Sequence, residues 1–62
     1  MAESLRRTVA KLMLSRTQFA GDTVSPDTIW RAQHPEVRDF WLERADGFLA
    51  DLADRGLRIE QV

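Results

Sequence analysis

The chain has 62 residues, no cysteine, a single histidine and a net charge of −1. That length holds one small domain, which buries only roughly 60% of its unfolded surface and has a marginal core of its own. The composition excludes a disulfide framework and a cysteine-ligated zinc, a metal site built on histidines, and the basic surface usual in nucleic-acid binders. Of the staples open to so small a chain, association with a further copy is the one expected.

The first predicted helix covers residues 3–19. Leu5, Val9, Leu12, Met13 and Phe19 recur at helical spacing and define one apolar stripe. Arg16 falls near the centre of that arc, where it either snorkels to water or pairs with an acid of the last helix. Arg7, Lys11 and Gln18 form a polar stripe, read as a solvated face; as a nucleic-acid surface it has few charges and no aromatic interleaving. Gly21 suits a helix stop, because glycine takes the left-handed cap conformation without a Cβ clash. Residues 20–25 read as a loop.

Ser25 and Pro26 announce a second, short helix over residues 26–33. A serine hydroxyl accepts an orphan backbone N–H at the cap, and proline at the first helical position forfeits no hydrogen bond. Asp27 complements the helix dipole. Ile29 and Trp30 are the residues expected to be buried. Pro35 disfavours helical geometry at His34 and ends the element there. His34 itself reads as a cap or an exposed turn residue.

A third helix is predicted over residues 35–55. Trp41, Ala45, Phe48, Leu49 and Leu52 form the centre of its apolar arc, with Val37 and Leu42 on the flanks. Glu36, Asp39, Glu43, Asp46 and Asp54 lie opposite. Phe40 falls outside the main arc, on a flank continued by Arg44 and Gly47. A phenylalanine there packs on the short helix or marks a second interface. Gly47 costs a helix about 1 kcal/mol relative to alanine, and on an outer face it is either neutral or a close-approach point for another helix. Gly56 reads as the stop. Residues 57–62 alternate apolar and polar, which predicts an extended tail that docks or pairs with a partner chain.

The formal charge hides a polarity. Residues 1–20 carry Arg6, Arg7, Lys11 and Arg16 against Glu3, for +3; residues 35–55 carry six acids against Arg38, Arg44 and Arg55, for −3. A basic first helix and an acidic last helix attract each other, within a chain or between chains. The expected fold is therefore all-α: a single three-helix mini-domain, its two long helices antiparallel, with the short helix in the connection and an extended tail. The predicted core is Leu5, Val9, Leu12, Phe19, Ile29, Trp30, Val37, Trp41, Ala45, Phe48, Leu49 and Leu52.

No catalytic signature is present: no glycine-rich phosphate loop, no serine elbow and no cysteine nucleophile. A proton-transfer role for His34 would need an orienting carboxylate and a pocket. The chain is not expected to be an enzyme or to carry a cofactor or metal. No apolar run is long enough to span a bilayer, and the N-terminus lacks the apolar core of a signal peptide, so the expected location is cytoplasmic. The candidate interaction residues are Phe40, Arg44, Gly47, Arg16, Arg7 and Lys11.

The stretch from Trp30 through Pro35-Glu36, Arg38, Trp41 and Arg44-Ala45-Asp46 to Leu49 and Leu52 resembles a recurrent type of small protein in actinobacteria and their phages. That type has an amphipathic first helix, a polar loop, a tryptophan-containing turn and a helix of this pattern. The resemblance implies phage or prophage origin and a helical fold, with no defined activity or site residues. The same stretch is faintly similar to the second corner of HMG-box DNA benders. It lacks their basic N-terminal arm and lysine-rich third helix, so the likeness is one of packing. The function expected is a self-associating helical module that binds a host or phage protein, the alternative being a DNA-binding accessory factor that uses the basic first helix.

Overall fold

A computed structural model describes residues 3–59. It contains α1 (Leu5–Gln18), α2 (Pro26–Ala32) and α3 (Pro35–Asp54), with no strand among the described residues. The fold is thus an all-α mini-domain of two long helices with a short one between them. The last three residues of the expected tail, 60–62, lie outside the described residues.

Each helix starts at a side-chain cap. Ser4 Oγ accepts the Arg7 N–H at 3.2 Å, which sets the start of α1 at Leu5 rather than at Glu3. Ser25 Oγ accepts the Thr28 N–H at 3.3 Å, with Pro26 in the first turn as the sequence predicts. His34 caps α3, its Nδ1 accepting the Glu36 N–H at 3.3 Å. Each cap satisfies one backbone donor that the helix itself leaves orphaned. Two glycines take positive φ: Gly21 at +86° in the turn after α1, and Gly56 at +75° after α3. At Gly56 the Leu57 N–H reaches the Leu52 carbonyl at 2.9 Å and the Gly56 N–H reaches Ala53 at 3.0 Å. Those two bonds close a Schellman stop.

The core is built from Val9, Ala10 and Leu14 of α1, Ile29 and Trp30 of α2, and Trp41 and Ala45 of α3. Trp30 and Leu14 are its largest fully buried side chains. Ala10 and Ala45, both fully buried, let the long helices close without a bulky side chain between them. Leu5, Met13, Phe19, Val37, Leu42 and Leu49 pack partly buried against this cluster, and Leu52 is half-buried.

Three predicted core residues lie outside this cluster and the layer packed on it: the half-buried Leu52, and two that are exposed. Leu12 is 48% exposed and Phe48 44% exposed. The cause on α1 is its position between two neighbours. Contact with both α2 and α3 turns its buried arc toward Val9, Ala10 and Leu14 and away from Leu12 and Arg16. Neither Ala10 nor Leu14 belongs to the stripe that a single packing partner would select.

The sense of the long helices also differs from the antiparallel expectation. Ser4 and Arg6, at the start of α1, share a cleft with Pro35, Arg38 and Asp39 at the start of α3. Further along, Met13 and Thr17 lie beside Phe48, and Met13 also beside Asp51. The antiparallel return is made by α2, whose Pro26 lies near Leu12 and Ser15 and whose Trp30 lies near Ser4 and Arg7. Two reversals restore the original direction, so α3 runs with α1. The attraction expected between the basic and acidic helices is realised by Arg6, whose Nε donates to Asp46 Oδ1 at 2.7 Å. Both side chains are about half exposed, so the pair contributes on the order of 0–1 kcal/mol.

Candidate interaction surface

The cations of α1 are placed very differently from one another. Lys11 is closed off by two carboxylates: its Nζ donates to Asp27 Oδ1 at 2.6 Å and also pairs with Glu3. Thr8 Oγ1 donates to the other oxygen of Glu3 at 2.8 Å. The cluster ties the segment before α1, the helix itself and the start of α2 into one network. Arg7 lies 3.7 Å from Glu3, one turn away. The polar stripe of Arg7 and Lys11 is therefore not an open cationic face: its lysine is spent on the fold.

This network gives a pH dependence with a defined sign. The Lys11 hydrogen bonds hold the Glu3 and Asp27 carboxyls below their ordinary values. Asp27 first, then Glu3, raise the Lys11 ammonium above its own. A depressed carboxyl stabilises the fold fully above its ordinary value, about 4, and stops doing so as pH falls through the folded value. A raised ammonium stabilises fully below about 10.4 and stops as pH rises through its folded value. The thermal midpoint advantage of the native chain over Lys11→Met is therefore expected to be widest between about pH 5 and pH 9 and to narrow at both ends. Parallel midpoint-versus-pH curves for the two proteins would contradict this assignment.

Three of the exposed apolar residues lie together. Leu12, Phe48 and Ile59, at 48%, 44% and 40% exposure, converge on one cleft. Val9 and Met13 form its floor, and Arg16 and Thr17 its edge. Ile59 belongs to the tail, so the described part of the tail docks beside α1 and α3. Arg16 is exposed at this edge, as the snorkelling reading expects, and no carboxylate of α3 pairs with it among the described residues.

A second cleft adjoins the first, lined by Met13, Arg44, Gly47, Phe48 and Asp51. Phe40 extends the same flank and is 51% exposed. Its ring meets Trp41 edge-on, with centroids 5.4 Å apart at 86°. The Arg44 guanidinium lies 5.1 Å above it and 5.8 Å from the Trp41 ring. These ring partners belong to its own helix, so packing on the short helix does not account for Phe40. A cation over an aromatic face at an exposed site contributes about 0.5–1 kcal/mol, a few-fold bias of the Arg44 head toward this surface.

The sequence thus identifies Phe40, Arg44 and Gly47 as one flank. The structure sets Leu12, Phe48 and Ile59 in the cleft beside it, while Lys11, on the polar stripe of α1, is paired with Glu3 and Asp27. Leu12 and Phe48 look like core because their spacing is helical, and the position of Ile59 depends on the Gly56 turn. Among the described residues no cluster of His, Cys, Asp and Glu is arranged to hold a metal ion, and no helix is long and apolar enough to cross a membrane. Comparison with protein-family models, with curated proteins and with solved structures finds no match.

Proposed function

We propose that this chain is a small protein-interaction module of phage or prophage type. It self-associates and, in that form, binds a host or phage protein in the cytoplasm of the host cell. The observation that carries this reading is the convergence of Leu12, Phe48 and Ile59 on one apolar cleft. Isolated exposed apolar residues are ordinary, whereas a contiguous apolar patch on so small a body is the usual sign of an interface. The marginal core expected of 62 residues supports the same reading, since a partner supplies burial the chain cannot make alone. The phage or prophage assignment rests on the sequence resemblance from Trp30 to Leu52. The alternative, DNA binding through α1, is weakened by the engagement of Lys11 with Glu3 and Asp27.

Self-association links stability to concentration. The thermal midpoint is expected to rise by several degrees between about 5 and 500 μM chain, as mass action requires when the assembled form is the stable one. A midpoint constant over that range would contradict the proposal.

A further inference from the structure

Resting on that self-association reading, we infer that the second copy docks α3 against α3 in antiparallel fashion, across a two-fold axis passing between Gly47 and Phe48. Phe40, Arg44, Gly47 and Asp51 form one stripe of the helix, because successive members are three or four positions apart, and Phe48 borders it one turn from both Arg44 and Asp51. On it, Arg44 and Asp51 are both exposed, and neither has an ion pair among the described residues. They are charges of opposite sign placed symmetrically, three and a half positions either side of that axis. At 1.5 Å rise per residue each sits about 5 Å from it. A two-fold axis there brings Arg44 opposite the partner's Asp51, and Asp51 opposite the partner's Arg44. A purely acidic ligand would satisfy Arg44 and repel Asp51; a second copy satisfies both.

The apolar groups agree with the same axis. Gly47 faces open space: beyond its chain neighbours and its own helix backbone, a Cβ there would meet nothing within 4 Å. The axis sets the half-exposed Phe48 ring over the partner's Gly47, so the missing side chain becomes the hollow that receives it. Phe40 comes level with the partner's Arg55, adding a cation to a ring that is half exposed. The contact is isologous and closes on itself, which limits it to a dimer.

The test is charge exchange, read by sedimentation equilibrium with circular dichroism confirming folded helices. Arg44→Asp places two carboxylates opposite each other at both contacts, and Asp51→Arg does the same with two guanidinium groups. Each variant alone is expected to dissociate at least about tenfold more readily than the native dimer, in keeping with close interfacial charge pairs. Mixed in equal amounts, the two variants restore both pairs and are expected to form a heterodimer. The double variant Arg44→Asp/Asp51→Arg is expected to recover the homodimer. Arg44→Glu with Asp51→Lys repeats the experiment should the first pair disturb the Phe40–Trp41 contact. A native dimer whose variants associate normally, or whose mixture fails to re-form, overturns this interface and leaves self-association standing. A native chain that is monomeric at every concentration overturns both.

Discussion

Trp30→Ala is expected to abolish the folded state at 25 °C. Trp30 is 1% exposed, the largest fully buried side chain in the domain. It is carried by the shortest helix, yet it reaches the cleft where Ser4 and Arg7 of one long helix meet Pro35 and Leu42 of the other. Truncating a buried aromatic of this size costs about 3–5 kcal/mol. A single core in a chain this short rarely supplies more than about 3–5 kcal/mol in total. The two magnitudes are equal, so nothing is left to hold α2 in place, and without α2 the two reversals that set α3 beside α1 are lost. Trp41, 6% exposed, falls in the same range on Trp41→Ala. Far-UV circular dichroism with a urea titration reads the result. A cooperative transition at the native midpoint would mean that Trp30 is peripheral.

Phe48→Ser is expected to do the reverse: keep the helices and lose the assembly. The ring is 44% exposed, so its removal empties no closed cavity. The change in stability of the isolated chain should stay within about 1 kcal/mol, as for substitutions outside the core. At an interface the same ring is an aromatic anchor, and truncating such an anchor costs about 2 kcal/mol or more, a weakening of association of roughly 30-fold. Light scattering and circular dichroism on this one variant separate the two effects. Loss of helix comparable to that in Trp30→Ala would return Phe48 to the core, and unchanged mass would remove it from the interface.

Most of the fold was legible in local chemistry. Ser25-Pro26 and His34-Pro35 mark two helix starts, and Gly56 marks a stop, because capping depends on residues within one turn. What local pattern does not carry is the direction from which neighbours approach. Leu12 and Phe48 both have core spacing and are both exposed, and the exposure of Leu12 follows only from α1 lying between α2 and α3. Ala10 is a small residue with no apolar signal of its own, and its complete burial marks the close approach of the helices. The sense of α3 escapes local pattern for a related reason: a seven-residue helix is long enough to reverse the chain a second time. Within the candidate surface, Phe40, Arg44 and Gly47 stand out in sequence because they break the amphipathic pattern. Lys11 is misleading because its partners, Glu3 and Asp27, lie 8 and 16 positions away, beyond any local pairing rule.

The proposed function requires this chain to cover its apolar face with another chain. Sedimentation equilibrium of the unaltered protein, from about 5 to 500 μM at neutral pH, tests that most directly. The predicted result is a mass rising from the 7.1 kDa of one chain to twice that value, with no larger species, as a closed two-fold contact requires. A mass of 7.1 kDa at every concentration would contradict it.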